Sequence, residues 1–181
     1  MRKQNLKDYI KPKTPLRGKN FIIEGFWIFI FKPLVGSFIP GSKWRAVILR
    51  LFGAKLGKSI RFNSFLKVKM PWKLLIGDYC WIGEEAWLDN IDTIDISKNV
   101  CISQGVYLCT GNHNFKKSSF DLICKPIIIE SDVWVGAKSI ICPGYTIGSG
   151  SVITIGSIIK ENIPKDSIFK NNKCLKFKLT K

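Results

Sequence analysis

Histidine and acidic residues are scarce in this chain. Its 181 residues include a single histidine, and 29 lysines and arginines stand against 13 aspartates and glutamates, for a net charge of +16. Such a charge attracts anionic partners, among them phosphate groups, nucleotide-linked sugars and acidic lipid surfaces. The sequence has no RNP-like, helix-turn-helix or zinc-finger pattern, and no aromatic residues alternate with its basic ends, so nucleic-acid binding is not indicated.

Paired cysteines of the metal-binding or redox type are also missing. The six cysteines include no CxxC pair, and their spacing fits neither a zinc-ligand pattern nor a disulfide framework. The N-terminus shows no secretory signal with a small-residue cleavage site. We therefore expect reduced thiols, no metal site and a cytoplasmic protein.

No apolar run is long enough to predict a membrane-spanning helix. Residues 21–40 are rich in Phe, Ile and Trp, but Glu24, Lys32, Pro33 and Gly36 interrupt them. The run therefore stops short of the roughly 20 apolar residues that span a bilayer.

A basic and apolar N-terminal extension is expected over residues 1–55. Helices are predicted at about 21–31 and 43–52, where they would either cover the end of a core or rest on a membrane surface. Covering a core end is favoured, because such an end needs apolar cover wherever the protein is located. Peripheral contact of the basic segment with the inner face of the membrane remains the alternative.

An aliphatic residue recurs at every sixth position from residue 56 onward, a period that fits neither an α-helix nor an isolated amphipathic strand. The series includes Ile76, Ile82, Leu88 and Ile94, then Ile96, Ile102 and Leu108 after a shift of two, and finally Ile129, Val135, Ile141, Ile147, Ile153 and Ile159. The position four residues later is usually small or β-branched, with Tyr145 as the clear exception. The pattern therefore predicts stacked turns with an apolar interior.

Six residues form one flat side of a coil, and three sides close a triangular turn of eighteen. Successive turns stack about 4.8 Å apart through backbone hydrogen bonds. This predicts an all-β fold, a parallel β-helix over residues 56–164, followed by a basic tail at 165–181. Parallel crossovers are normally right-handed, so the repeat alone does not establish a left-handed coil.

The β-helix segment resembles the hexapeptide-repeat acyltransferases. The motifs are Pro-Trp at 71–72, IGDYCWIGE at 76–84 and CISQGVYLCTG at 101–111. They are similar to the colanic acid biosynthesis acetyltransferases and, more distantly, to galactoside and maltose O-acetyltransferases. The resemblance implies a left-handed parallel β-helix, a homotrimer, and acetylation of a sugar hydroxyl by acetyl-CoA in exopolysaccharide, capsule or other glycan biosynthesis. The acceptor would be a sugar, nucleotide sugar or lipid-linked glycan.

The repeat breaks between Leu108 and Ile129, and the interruption holds the sequence TGNHNF, which is similar to the catalytic loop of that family. We place this loop at about 109–128. Its histidine, His113, is the candidate general base, because imidazole titrates near neutral pH. A structural role for a lone histidine is the alternative. No motif argues for a covalent acyl-enzyme, so direct transfer is expected.

The resemblance also implies binding residues. The amide of Ala137 would stabilise the oxyanion. Asp89 and Asn90 would bind the acceptor, unless they form a simple Asx turn. Candidates for binding acetyl-CoA are Trp134, Gly136, Ala137, Gly156, Ser157, Lys160, Lys176 and Lys178. Trp134 could equally be a packed corner residue.

Three competing functions share this architecture. A γ-class carbonic anhydrase needs three histidines around zinc, which a single histidine excludes. N-acylation of an amino sugar, or transfer from an acyl-carrier protein, would use the same base with a different pocket. A trimeric scaffold at a membrane surface would need no base at all.

Overall fold

The computed structural model describes residues 5–9 and 18–176. Their core is a three-sided prism of β-strands around which the chain winds about six times. We call its sides sheets A, B and C. The predicted all-β parallel β-helix with an N-terminal helical segment is confirmed.

Each side of the prism receives one short strand per turn, and the strands stack in parallel. Sheet A contains β1 (Lys55–Leu56), β4 (Leu74–Ile76), β7 (Ile94–Ile96), β12 (Ile127–Ile129) and β15 (Thr146–Ile147). Sheet B contains β2 (Arg61–Phe62), β5 (Trp81–Ile82), β8 (Cys101–Ile102), β13 (Trp134–Val135), β16 (Val152–Ile153), β18 (Ser167–Lys170) and the antiparallel β19 (Lys173–Lys176). Sheet C contains β3 (Lys67–Val68), β6 (Trp87–Asp89), β9 (Tyr107–Cys109), β14 (Ile140–Ile141) and β17 (Ile158–Ile159).

The recurring aliphatic residues point into the prism. Those of the cleanest series, from Ile129 to Ile159, are all 0% exposed. The small or β-branched residues four positions after the inward ones, such as Cys80, Val106 and Ser139, are buried as well, whereas the exception Tyr145 is partly exposed. The sixfold period therefore predicted which individual side chains form the core.

Turn length differs from the prediction in the first half of the prism. Leu56 pairs with Ile76 and Ile76 with Ile96, so these turns contain 20 residues. The turn between Ile129 and Ile147 has the expected 18, and the last turn, between Ile153 and Phe169, has 16. The two extra residues lie between sheets C and A, at what we call the C–A corner. An extra residue within a strand would disrupt its backbone pairing with the neighbouring strands. An extra residue at a corner leaves that pairing intact.

The prism also extends further than predicted. β18 (Ser167–Lys170) pairs in parallel with β16, and its Phe169 is 3% exposed. Part of the segment expected to be a basic tail from residue 165 therefore continues sheet B. The bulky Phe169 places apolar cover near the end of the core.

Helices cover the other end. α1 (Phe21–Phe26) continues through a π-helical segment (Trp27–Phe31) into α2 (Lys32–Val35), and α3 (Ser42–Leu51) follows. Short 3-10 turns occur at Leu6–Asp8 and Pro71–Lys73. The first helix thus runs four residues beyond its expected end. In the described ranges no helix is both long and apolar enough to cross a membrane.

The helices are fixed to the first turn by buried side chains. Trp27 and Leu49 are fully buried in the same cluster as the prism core. The indole N–H of Trp27 donates to the carbonyl of Lys69 at 2.9 Å. The buried Arg45 of α3 donates to the carbonyl of Val35 at 2.9 Å, which joins the two helices. The described part of the extension therefore covers the end of the core.

Glycines after the inward residues are required by the close approach of turns. A Cβ on Gly83 would lie 2.5 Å from the backbone nitrogen of Gln104 in the next turn. Replacing Gly83 by alanine should lower the free energy of unfolding by about 2 kcal/mol, because the stacked turns must separate to admit the methyl group. Chemical denaturation measures this change.

Gly25 in α1 is the matched control for that substitution. A Cβ there meets nothing within 4 Å, so Gly25→Ala should leave stability unchanged or raise it by about 0.5–1 kcal/mol. Equal destabilisation by both variants would contradict the close-approach explanation.

Candidate active site

A β-hairpin projects from the C–A corner where the repeat is interrupted. β10 (Gly111–His113) pairs antiparallel with β11 (Leu122–Cys124). A Cβ on Gly111 would lie 2.9 Å from the Cδ1 atom of Ile91. The first strand of the hairpin therefore lies against Ile91, in the insertion of the preceding turn.

His113 is held by the far strand of this hairpin. Its Nδ1 lies 2.7 Å from the carbonyl oxygen of Phe120, and the imidazole stacks on the Phe120 ring with centroids 4.2 Å apart and planes 5° apart. A carbonyl oxygen can only accept a hydrogen bond, so Nδ1 carries the proton and the lone pair of neutral imidazole is on Nε2. The arrangement suits His113 to accept a proton.

The N-terminal segment reaches this hairpin. The backbone N–H of Asn5 donates to the carbonyl of Ser118 at 3.0 Å, and the ring of Tyr9 lies 6.1 Å from that of His113. Residues from the start of the chain therefore contribute to the surroundings of the histidine.

Asp89 lies at the C–A corner one turn before the hairpin. Lys69 Nζ is 2.8 Å from one carboxylate oxygen, and the Tyr107 hydroxyl donates to the other at 3.0 Å. Burial, together with hydrogen bonds to Cys109 and Asp89, raises the pKa of Tyr107. The phenol therefore stays neutral and acts as a donor, and the carboxylate charge is compensated by the neighbouring ammonium group.

Asn90 has a structural role in this conformation. Its side chain is fully buried; Oδ1 accepts from the backbone N–H groups of Lys69 at 3.2 Å and Met70 at 2.9 Å, while Nδ2 donates to the carbonyl of Met70 at 2.6 Å. It therefore fastens one two-residue insertion to the next. This placement does not support the predicted contact of Asn90 with an acceptor, because its amide is committed to the backbone and has no access to solvent.

The candidate oxyanion donor lies at a different corner, between sheets B and C. Ala137 accepts a hydrogen bond from the N–H of Gly156 at 2.8 Å through its carbonyl. Its own N–H donates to no acceptor among the described residues. Trp134, just before this corner, is 52% exposed and donates to the Ser103 hydroxyl at 2.9 Å. It is an outward-facing side chain rather than a packed corner residue.

Two residues expected to contact acetyl-CoA have roles in packing within the prism. A Cβ on Gly136 would lie 2.7 Å from the carbonyl oxygen of Ile153, so the stacking of turns explains this glycine. Ser157 is buried, and its hydroxyl donates to the carbonyl of Thr154 at 2.6 Å. A Cβ added to Gly156, by contrast, would meet nothing within 4 Å.

The predicted lysines lie apart from that corner. Lys160 follows β17 at the C–A corner and lines a cavity of about 300 Å³, together with Ile158, Glu161, Phe169 and Asn172. Lys176 is exposed at the end of β19. Lys178 lies outside the described residues.

Within one chain, the candidate residues form two separate groups. His113 and Asp89 occupy the C–A corner, whereas Ala137 and Gly156 occupy the corner between sheets B and C, one side of the prism away. A single prism therefore does not bring the base and the oxyanion donor together. Across residues 5–9 and 18–176, no group of three His, Cys, Asp or Glu side chains could hold a metal ion.

Sequence reasoning missed the partners of these residues. Lys69 and Asp89 each follow an inward aliphatic residue, at positions 20 apart, so a 20-residue turn would have predicted their contact. Tyr107 also occupies a regular outward position in sheet C. Phe120 gave no such signal, because it lies in the interruption of the repeat.

Family models give no match to this sequence, but individual proteins do. The chain is 35% identical over 175 residues to the putative colanic acid biosynthesis acetyltransferase WcaF of Escherichia coli (strain K12), an alignment that covers 93% of each chain. This chain belongs to the hexapeptide-repeat acetyltransferases. The galactoside O-acetyltransferase of the same organism is 36% identical to this acetyltransferase over 85 residues, or 45% of this chain and 42% of that one.

Solved structures agree with this acetyltransferase fold. A hexapeptide-repeat-containing acetyltransferase from Vibrio cholerae, in complex with acetyl coenzyme A, superposes with a TM-score of 0.73 at 25% identity, covering 84% of this chain and 80% of that one. A maltose O-acetyltransferase from Clostridium difficile 630 gives a TM-score of 0.75 at 22% identity, covering 86% of each chain. The prism is therefore the left-handed parallel β-helix that the resemblance implied.

The buried amide of Asn90 yields a stability prediction for this acetyltransferase. Asn90→Ala should lower the free energy of unfolding by about 2–3 kcal/mol, because the buried N–H of Met70 loses its acceptor and removal of the buried amide leaves a cavity. Urea denaturation tests this. Asn63→Ala, at an exposed position, is the control and should change stability by less than about 0.5 kcal/mol. A fully stable Asn90→Ala protein would contradict the structural role.

Proposed function

We propose that this acetyltransferase moves an acetyl group from acetyl-CoA to a sugar hydroxyl, in the biosynthesis of an exopolysaccharide, capsule or other glycan. The hydrogen bond between Nδ1 of His113 and the carbonyl of Phe120 carries this proposal, because it leaves Nε2 as a proton acceptor. The sugar O-acetyltransferases among the similar proteins support the reaction class. The acetyl coenzyme A in the Vibrio cholerae structure supports the donor.

The reaction is a direct transfer. Nε2 of His113 takes the proton of the acceptor hydroxyl as its oxygen bonds to the thioester carbon. The carbonyl oxygen becomes negative in the tetrahedral intermediate, where the N–H of Ala137 donates a hydrogen bond to it. The C–S bond then breaks, and the proton held by His113 passes to the departing thiolate. The acetyl ester and CoA are the products.

A homotrimer would unite the two groups of residues. His113 on one prism would face Ala137 of a neighbouring prism across the groove between them, since the two lie at different corners of one chain. Trp134 and Gly156 lie near the same corner as Ala137, where a pantetheine arm would pass. The active site in this proposal belongs to two subunits.

The acceptor side of the site is assigned to the corner around Asp89. Its carboxylate, held by Lys69 and Tyr107, provides oriented acceptors for sugar hydroxyl groups. The cytoplasm, as the location of acetyl-CoA, is the compartment that this proposal predicts.

Removal of the imidazole is the direct test. His113→Ala should lower kcat by about 10²- to 10⁴-fold with acetyl-CoA and the sugar acceptor, because the group that takes the hydroxyl proton is removed. Affinity for acetyl-CoA should be unchanged in calorimetry. The control is Lys116→Gln, an exposed change in the same loop, which should retain full activity.

The sugar acceptor used in that experiment is identified by analysis of the reaction products. Incubation with acetyl-CoA and panels of sugars, nucleotide sugars and amino sugars, followed by mass spectrometry, identifies whether oxygen or nitrogen is acetylated. Undiminished turnover of His113→Ala would refute the base assignment, and acetylation of amines alone would refute the hydroxyl acceptor.

Lys160 is the testable phosphate contact. It lines the cavity near the last turns, and loss of a charge-assisted hydrogen bond to a CoA phosphate should weaken binding of acetyl-CoA about tenfold in Lys160→Ala. Lys170→Ala, at another exposed position nearby, should bind as the wild type does. If the wild type, Lys160→Ala and Lys170→Ala bind acetyl-CoA with equal affinity, Lys160 is excluded from the CoA site.

A further inference from the structure

The N-terminal helices bury one face and expose another that is strongly apolar. Trp27 and Val35 pack into the core. Phe21 is 87% exposed, Phe29 81% and Phe38 74%. The same surface carries the exposed side chains Ile22, Phe26 and Ile30. We call these six residues the helical apolar face.

This surface is unlike ordinary exposed hydrophobic residues. Single apolar side chains are common on protein surfaces, but a contiguous apolar patch of large side chains marks a binding surface. Here six large side chains occur within eighteen residues of one helical segment and the turn after it. The end of the prism core is covered by the opposite face of that segment, which includes Trp27 and Val35.

The charges around this face have one sign. Between residues 18 and 54 the acidic residue Glu24 is 7% exposed. Within residues 18–38, which carry the face, the exposed charged side chains are Lys19 and Lys32. Lys43 and Arg50 are exposed on the following helix, α3, where Arg50 donates to the carbonyls of Leu56 and Gly57. A second copy of the same face would oppose cations to cations, whereas phosphate-bearing lipid would neutralise them.

We propose that the helical apolar face docks on an anionic lipid bilayer. The segment lies in the plane of the interface, its aromatic and aliphatic side chains enter the acyl boundary, and the surrounding cations bind lipid phosphates. Neither interaction requires the acyl-transfer reaction. Lipid binding by this face can therefore be tested independently of the acyl-transfer activity.

Docking would also orient the active site. Trp27, on the buried side of the segment, donates to the carbonyl of Lys69, and the Lys69 ammonium pairs with Asp89. The docked helix is thus fixed directly to the C–A corner. That corner would be held beside the lipid headgroups.

Vesicle co-sedimentation tests the docking. The wild-type protein should bind vesicles of phosphatidylcholine and phosphatidylglycerol, and more weakly those of phosphatidylcholine alone. The double variant Phe21→Ser/Phe29→Ser should lose about tenfold or more in affinity. Its fold should be kept, because both side chains face solvent. Lys19→Gln/Lys32→Gln should bind less at low salt, and the difference should shrink at high salt.

A matched control lies far from the helices. Ile155 is 74% exposed, in a turn of the later coils, so Ile155→Ser should bind vesicles as the wild type does. Failure of the wild type to bind anionic vesicles, or undiminished binding by the double phenylalanine variant, would overturn the proposal. If the wild type fails to bind vesicles and the double phenylalanine variant forms a smaller assembly than the wild type in analytical ultracentrifugation, the face is instead an interface between copies of this chain.

Discussion

The stacking of one turn on the next is the constraint on which this protein depends. Backbone hydrogen bonds join each strand to its equivalent in the next turn, and aliphatic side chains fill the interior between them. The turns are so close that Gly83 and Gly136 have no room for a Cβ. Within the sheets the chain can neither gain nor lose a residue without breaking this register.

Insertions, and the candidate site residues that they carry, are therefore found at the corners of the prism. At the C–A corner the insertions are two residues long in the early turns and become a hairpin after β9. Asn90 fastens one insertion to another, and the hairpin lies on Ile91. The result is a rigid support for His113, whose tautomer is determined by a backbone carbonyl rather than by a second ionisable group. A regular scaffold thus carries one irregular edge.

The N-terminal helices show how the ends of such a scaffold combine two requirements. The end of the prism must be covered, which Trp27 and Leu49 accomplish from within. A short helix that contributes only one face to this cover leaves its other face available for binding. The positive charges around that face make it complementary to an anionic surface.

What the sequence determined by itself was the interior. A sixfold period is a local property of the chain, so it predicted the β-helix, its core residues and the interruption that contains His113. It did not predict the 20-residue turns, because a shift of two residues in a period does not reveal which corner absorbs it. It assigned Asn90 and Ser157 to ligands, but it did not predict that the Asn90 amide bonds to the backbone of Met70, twenty residues away, or that the Ser157 hydroxyl donates to the nearby carbonyl of Thr154.

Tertiary structure alone decided the surroundings of the site. Phe120, Tyr107 and Lys69 meet their partners only when turns are stacked and the hairpin is closed, and no spacing in the sequence records the Phe120 contact. The separation of His113 from Ala137 on two corners is likewise a property of the closed prism. Periodicity specifies which side chains point inward, but contacts between turns determine what the outward ones can do.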